Sequence, residues 1–277
     1  MQARSSSIQK IEKKISDGQI VAEQPIPGAG RVEREHSMSF QIAIDGLIAA
    51  GKGTVARLVA ERLDLLYVDT GAMYRATALL AKERGVSWDD EDGLAKLVSE
   101  SEMTLHQPVG QEIDGRLTTI ILNGKDVSWE IRGPVGTEGS SLVARWAKVR
   151  QELVKKQQAL AATSNVIMEG RDITYRVLPT AQIKIYLTAS IEVRAKRRYL
   201  EELEKQKKAH QIPGHEKKEI TYEQIVTSIK ERDKRDMERP VDPLRIVEGA
   251  WVLDTSDLTI EQVADLIVNK AHTLGFT

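Results

Sequence analysis

Between Asp45 and Thr54 the chain reads DGLIAAGKGT, and this spacing of glycines, one lysine and one hydroxyl could do phosphate chemistry. The interval from Gly46 to Gly51–Lys52 fits the P-loop pattern, in which small residues let successive backbone N–H groups turn inward around phosphate oxygens. A helix opening near Lys52 adds the positive end of its dipole. Lys52 is placed to reach the β- and γ-phosphates of a nucleoside triphosphate, and a hydroxyl just beyond it can meet a magnesium ion. Here Gly53 follows the lysine, and the hydroxyl comes one place later at Thr54. Gly46, Leu47, Ile48, Ala49, Ala50, Gly51, Lys52, Gly53 and Thr54 together form the candidate triphosphate cradle. The plain alternative is a Gly-rich strand-to-helix turn.

Transfer between two phosphorylated molecules would bring several negative charges within a few ångströms, so such a site needs arginines and a metal. It must also exclude water, or the triphosphate is hydrolysed instead. The sequence offers Arg75, Arg150, Arg171, Arg232 and Arg239 at the ends or turns of elements. Arg194, Arg197 and Arg198 lie in the first half of a helix that could close as a lid. Taken singly, each arginine reads as a solvated surface charge. Their joint placement beside a P-loop makes them candidates.

These residues need elements to position them. Val55, Leu58, Val59 and Leu63 recur at helical spacing after the loop. Leu65–Val68 predicts a strand that delivers Asp69–Thr70–Gly71 to its C-terminal end, where ligands gather in open α/β sheets. DTGAMYRATALLA then turns helical, with Arg75 near its start. From about Gly85 the rhythm breaks. Met103–Gln107 and Leu117–Leu122 read as strands, Asn123–Gly124 is a hairpin turn signal, and Lys125–Arg132 continues the second arm. A long helix is predicted from about Ser140 to Ala161. Strands Asn165–Glu169 and Ile183–Thr188 follow, then helix Ile191–Lys208, a polar stretch with Pro213–Gly214 that suits a lid tip, and helix Thr221 to about Met237. Trp251–Leu253 and Ile260–Leu274 close the pattern as strand and helix. Alternating strands and helices imply α/β architecture with a parallel sheet covered on both sides.

The 277 residues can bury a large core, in one elaborated domain or two compact ones. A formal net charge of -1 argues against a chain-wide electrostatic partner such as a nucleic acid polymer. No cysteine is present, which excludes disulfides, thiolate metal sites and a cysteine nucleophile. No stretch is apolar for the eighteen or so residues of a membrane span, and the N-terminus lacks the plan of a secretory signal. A cytoplasmic protein without a membrane partner is the expectation. Residues 1–37 read as a polar extension, either a solvated arm or a short helix on Ile8, Ile11 and Ile15, with no function assigned.

Read in order, DG, GKGT, DTGAMYR, NGKDV with EIR, GRDI, YLTAS with VRAKRRY, the RD-rich cluster RDKRDMERP and LDTS resemble the bacterial cytidylate (CMP/dCMP) kinases, a family of P-loop nucleoside monophosphate kinases. The resemblance covers about Phe40 to Ile267. It implies a three-layer P-loop kinase core (38–100 and 160–277), a β-rich monophosphate-binding insertion (101–159) and a helical lid at about 191–239. It also implies transfer of the γ-phosphoryl group of ATP to CMP or dCMP, with Mg2+, by a monomer. Carried over by residue, Thr70, Arg75, Arg171 and Arg239 would hold the acceptor phosphate, and Ser141, Arg150 and Asp172 would read the cytosine edge. Arg232 and Asp236 lie i, i+4, so they can act together, with Asp236 accepting from the ribose. Asp69 and Thr54 would serve the magnesium ion. Lys52, Arg171, Arg239 and Arg197 would carry the transfer, with Arg194 on the ATP side.

Departures from the family's usual pattern fall in two places. Leu47, Ile48 and Ala49 stand where proline, alanine and glycine are usual. A Cβ at position 49 costs about 1–2 kcal/mol if the loop requires the left-handed region. After GRDI, Thr174, Tyr175 and Arg176 replace the usual GTVV, and Arg176 reads as either a surface residue or an additional phosphate contact, the former preferred. Two other readings stay open on the sequence: a related kinase acting on UMP or another acceptor, and a catalytically weak nucleotide-binding module.

Overall fold

The computed structural model describes residues 39–116, 118–209 and 221–276, the side chains of 205–209 excepted. The N-terminal extension and the Pro213–Gly214 lid tip lie outside the described residues.

The apolar run before the P-loop forms strand β1 (Gln41–Gly46). Its period-two alternation sends Ile42 and Ile44 to one face and Ala43 to the other, all fully buried. Burial on both faces is what a central parallel strand needs. Helix α1 (Lys52–Leu63) buries Val55, Val59 and Leu63. Strand β2 (Leu66–Asp69) leads into α2 (Thr70–Glu83), where the Asp69 carboxylate accepts from the Ala72 N–H at 3.1 Å and caps the helix.

In the insertion, β3 (Met103–His106), β4 (Thr119–Leu122) and β5 (Lys125–Asp126) form an antiparallel sheet. Asn123 and Gly124 both take positive φ, 49° and 80°, as the tight hairpin turn demands.

The main sheet is completed by β6 (Val166–Gly170), β7 (Ile183–Thr188) and β8 (Trp251–Asp254), in the order β2-β6-β1-β7-β8, with every pairing parallel. Helices α1 and α8 (Ile260–Thr273) cover one face. The other face is covered by α2 and α5 (Ala147–Thr163). Two further helices are α6 (Ile191–Ala209) and α7 (Tyr222–Glu238), the latter opened by a Thr221–Gln224 capping box.

Three expectations need correction. The single helix over Ser140–Ala161 is two, α4 (Pro134–Val143) and α5, with Trp146 extended between them (ψ 125°). Its indole N–H is fixed on the Trp88 carbonyl at 2.8 Å, which holds the break. The second hairpin arm stops at Asp126, because Asp126 accepts from the Ser128 N–H at 2.9 Å and turns the chain into a short 3-10 turn, Glu130–Arg132. Helix α3 (Glu91–Glu100), capped by Asp90 onto the Gly93 N–H at 2.9 Å, precedes β3. The predicted strand Leu117–Leu122 starts at Thr119, and Leu117 itself is outside the described residues.

Candidate active site

The C-terminal ends of β1, β2 and β6 deliver Asp45–Gly46, Asp69 and Gly170 to one edge of the sheet, and the loops that follow enclose a cavity of about 1030 Å³. Its walls include Ile48 through Thr54 on one side. Thr70, Arg75, Ser141, Arg150, Arg171, Asp172, Arg232, Asp236 and Arg239 also line it, together with Asp69 and Arg197. Gly46, Leu47 and Arg194 do not line it. A Cβ on Gly46 would sit 2.0 Å from the Leu187 carbonyl oxygen of the adjacent strand, so glycine there is a packing requirement.

The loop has the shape its sequence anticipates. Gly51 (φ 91°) and Ala49 (φ 59°) are both left-handed, so the alanine that replaces the family's glycine sits in the strained region. Ile48 and Ala49 pack against the cluster of Ala195, Ile225 and Ile229 between α6 and α7. The Ile48 N–H donates to Asp233 at 3.1 Å, and Arg194 donates to the Ile48 carbonyl at 3.1 Å and to Asp233 at 2.5 Å. Arg197 reaches the Thr255 hydroxyl and carbonyl at 3.1 and 2.8 Å. Helices α6 and α7 are thereby bonded directly to the loop after β1.

Lys52 is 6% exposed, and its Nζ donates to the carbonyls of Gly46 and Leu47 at 3.0 and 2.8 Å. Burial, and then the charge of Arg171, lower its pKa to about 7. Nearby Glu169 is pushed upward, first by burial and then by Asp69. A Cβ on Gly53 would meet the Tyr67 hydroxyl at 3.1 Å and Glu169 Oε1 at 3.4 Å, so the residue after the lysine must be small. Thr54 is exposed beside it.

On the opposite wall the charged groups are cross-bonded. Arg75 donates to Asp69 at 3.3 Å, and the Thr70 hydroxyl donates to the Glu169 carbonyl at 2.8 Å. Arg171 donates to Asp236 at 2.7 Å, and Arg232 stands 3.7 Å from the same carboxylate. Burial opposes ionisation of Asp236, but Arg171 and Arg232 hold its carboxyl below the usual range. Arg150, 1% exposed, donates to Asp172, to Asp242 at 3.0 Å and to the Ala144 carbonyl at 3.2 Å, which fixes both the guanidinium and the carboxylate beside it. Arg239 donates to the Asp242 carbonyl at 2.8 Å and lies 3.8 Å from Asp172. The Ser141 hydroxyl accepts from Arg235 at 3.4 Å.

A buried contact joins β1 to the segment after Asp172. Asp45 is fully buried and accepts from the N–H groups of Ile173 and Thr174 at 2.9 and 2.8 Å and from the Thr174 hydroxyl at 2.6 Å. Burial outweighs these bonds and raises its pKa to about 6. Residues Ile173–Val177 form one wide π-type turn, closed by Leu178 N–H to Ile173 O at 2.8 Å. Thr174, a departure from GTVV, thus fastens the segment after Asp172 to the strand before the loop. Arg176 is exposed, 3.7 Å from Asp242.

Sequence reasoning assigned no role to Asp45, Glu169, Asp233, Asp242 or Thr255. Asp45, Asp233 and Thr255 lie inside DG, the RD-rich cluster and LDTS, so those motifs were the available signal. Glu169 and Asp242 gave none, because their importance comes from what strand and loop ends bring beside them.

Comparison with known proteins gives a consistent answer. The family model described as cytidylate kinase matches residues 42–273. The cytidylate kinase of Bacillus subtilis (strain 168) is 43% identical over 233 residues, covering 84% of this chain and 96% of the relative. That of Bacillus licheniformis is 42% identical, covering 82% and 93%. That of Caldanaerobacter subterraneus subsp. tengcongensis is 42% identical, covering 83% and 94%.

Proposed function

The chain belongs to the cytidylate kinase family, and on that premise we propose that it transfers the γ-phosphoryl group of ATP to CMP or dCMP, giving ADP and CDP or dCDP. The observation that carries the reading is one cavity with a P-loop on one wall and an arginine–carboxylate lattice on the other. The proposed acting species is a monomer. The proposed location is the cytoplasm, among free nucleotides.

On the donor side, the loop N–H groups, the N-terminus of α1 and Lys52 neutralise the triphosphate. Lys52 then trades its bonds to two loop carbonyls for phosphate oxygens. On the acceptor side, Arg75, Arg171 and Arg239, with the Thr70 hydroxyl, hold the monophosphate in line with the γ-phosphorus. The acceptor oxygen attacks directly, with no covalent enzyme intermediate. Arg197 comes from the lid, whose closure sheds water. Arg194 positions the loop by holding the Ile48 carbonyl.

Base recognition falls to Asp172, oriented by Arg150. A fixed carboxylate accepts from the exocyclic amine of cytosine and repels the carbonyl that uracil presents there. Ser141 completes the edge, and Asp236, held by Arg171 and Arg232, accepts from the ribose.

Among the described residues no group of three or more His, Asp or Glu side chains is arranged to hold a metal by itself. That fits a magnesium ion that arrives with the nucleotide and takes most of its ligands from phosphate and water. The hydroxyl of Thr54 and the carboxylate of Asp69 would hold it or its waters. When bound, the ion would supply neutralisation of phosphate charge.

Lys52→Met tests the assignment. CMP-dependent ADP release should fall at least about a hundredfold while the thermal unfolding midpoint stays near that of the parent. Near-normal turnover in this variant would overturn it.

A further inference from the structure

The wall that the insertion adds to the cavity carries a guanidinium without a partner. Arg132 ends the short turn Glu130–Arg132, and its Nε and Nη2 are sealed from solvent yet make no hydrogen bond. Its backbone is firmly held. The N–H donates to the Trp129 carbonyl at 3.0 Å, and the carbonyl accepts from the Thr137 hydroxyl at 3.3 Å. Four other arginines of the acceptor wall each donate to a carboxylate or carbonyl: Arg75 to Asp69, Arg150 to Asp172, Arg171 to Asp236 and Arg239 to Asp242, while Arg232, whose Nε is also unbonded, has the Asp236 carboxylate 3.7 Å away. A guanidinium does not shed its charge, and a buried donor left unpaired in a native fold needs a partner, which ordered water or an anionic ligand can supply.

Arg132 and Arg75 both act on the phenol of Tyr67, whose hydroxyl stands beside Gly53, so both guanidiniums lie close to the cavity floor. The turn packs against α2, which carries Arg75. Both arginines line the same cavity. We propose that Arg132 binds the phosphate of the nucleoside monophosphate, reaching it from the insertion beside Arg75.

The inference rests on the CMP kinase reading and extends it. The EIR motif thereby gains a role, since the insertion brings a cation to the acceptor phosphate as well as enclosing the base. The ligand is anionic and small, and the nucleoside moiety plays no part in the contact.

The test is Arg132→Met, with Arg132→Lys as the conservative variant, in steady-state ADP release. Arg132→Met should raise KM for CMP about tenfold or more, with KM for ATP and the inhibition constant of cytidine, which lacks the phosphate, both within about twofold. Arg132→Lys should recover part of the loss, since charge is kept but the fork is not. An unchanged KM for CMP would overturn the proposal. So would equal weakening of CMP and cytidine, which would mark a structural role. If the parent protein itself fails to phosphorylate CMP, the functional reading has failed. If the parent turns over and Arg132→Met keeps its KM for CMP, only the Arg132 assignment has failed.

Discussion

Lys52 should take up a proton when the donor nucleotide binds. Burial and the charge of Arg171 set its pKa near 7 before phosphate arrives, against an ordinary value of 10.5. At pH 8 a large part of the side chain then lacks its charge. Phosphate oxygens in contact with Nζ restore the charged form, so binding should draw in protons, and more of them at pH 8 than at pH 6. Titration calorimetry in two buffers of different ionisation enthalpy reads this number directly as the slope of observed enthalpy against buffer enthalpy. A non-hydrolysable ATP analogue with magnesium keeps turnover out of the signal. Lys52→Met supplies the reference, because protons belonging to the nucleotide remain in that variant while those of the lysine vanish. A slope at pH 8 that is zero, or equal in the two proteins, would refute the reasoning.

Other perturbations follow from contacts already described. Ala49→Gly relieves a left-handed alanine worth about 1–2 kcal/mol, offset by about 0.4–1 kcal/mol of added freedom in the unfolded chain. The melting temperature should rise by about 1–4 °C, and a fall would contradict the strain. Thr174→Val removes the hydroxyl that donates to Asp45 at 2.6 Å, a bond to a charged group worth about 1.5–3 kcal/mol. Thermal unfolding should shift down by about 4–10 °C. The raised pKa of Asp45 has a definite sign in its effect on stability. Its folded value, about 6, lies above the ordinary 3.8, so its contribution is fully present below pH 3.8 and is lost as pH rises through 6. Asp45→Asn should therefore lose that part of the pH dependence of urea unfolding between pH 4 and 6; an unchanged profile would count against it.

The parts of the site that were legible in the sequence are those that local spacing encodes. The P-loop, the Asp69 cap with Arg75 in the following helix, and the i, i+4 pair Arg232–Asp236 each follow from short-range geometry. The positive φ at Ala49 was also legible, since a loop wrapping phosphate needs it wherever a glycine is usual. Long-range partnerships were not. Nothing near Asp45 in sequence points to Thr174, and nothing near Ile48 points to Asp233, because both pairs form only when parallel strands and helices meet at one edge. The break at Trp146 was hidden for the same reason. The run on either side has good helix formers, and the anchor that opens it is the Trp88 carbonyl, 58 positions away. Arg194 shows how the same effect redirects a residue. The resemblance places it on the ATP side, and in the structure its donors meet the Ala189 and Ile48 carbonyls and Asp233.

The central claim is cytidine-specific phosphoryl transfer, and the direct measurement is ADP release with ATP and magnesium across CMP, dCMP, UMP, AMP and GMP under one set of conditions. A carboxylate held by Arg150 predicts that kcat/KM for CMP or dCMP exceeds that for UMP by about a hundredfold or more, with AMP and GMP lower still. UMP turnover equal to that of CMP, or no turnover with either cytidine nucleotide, would contradict the account.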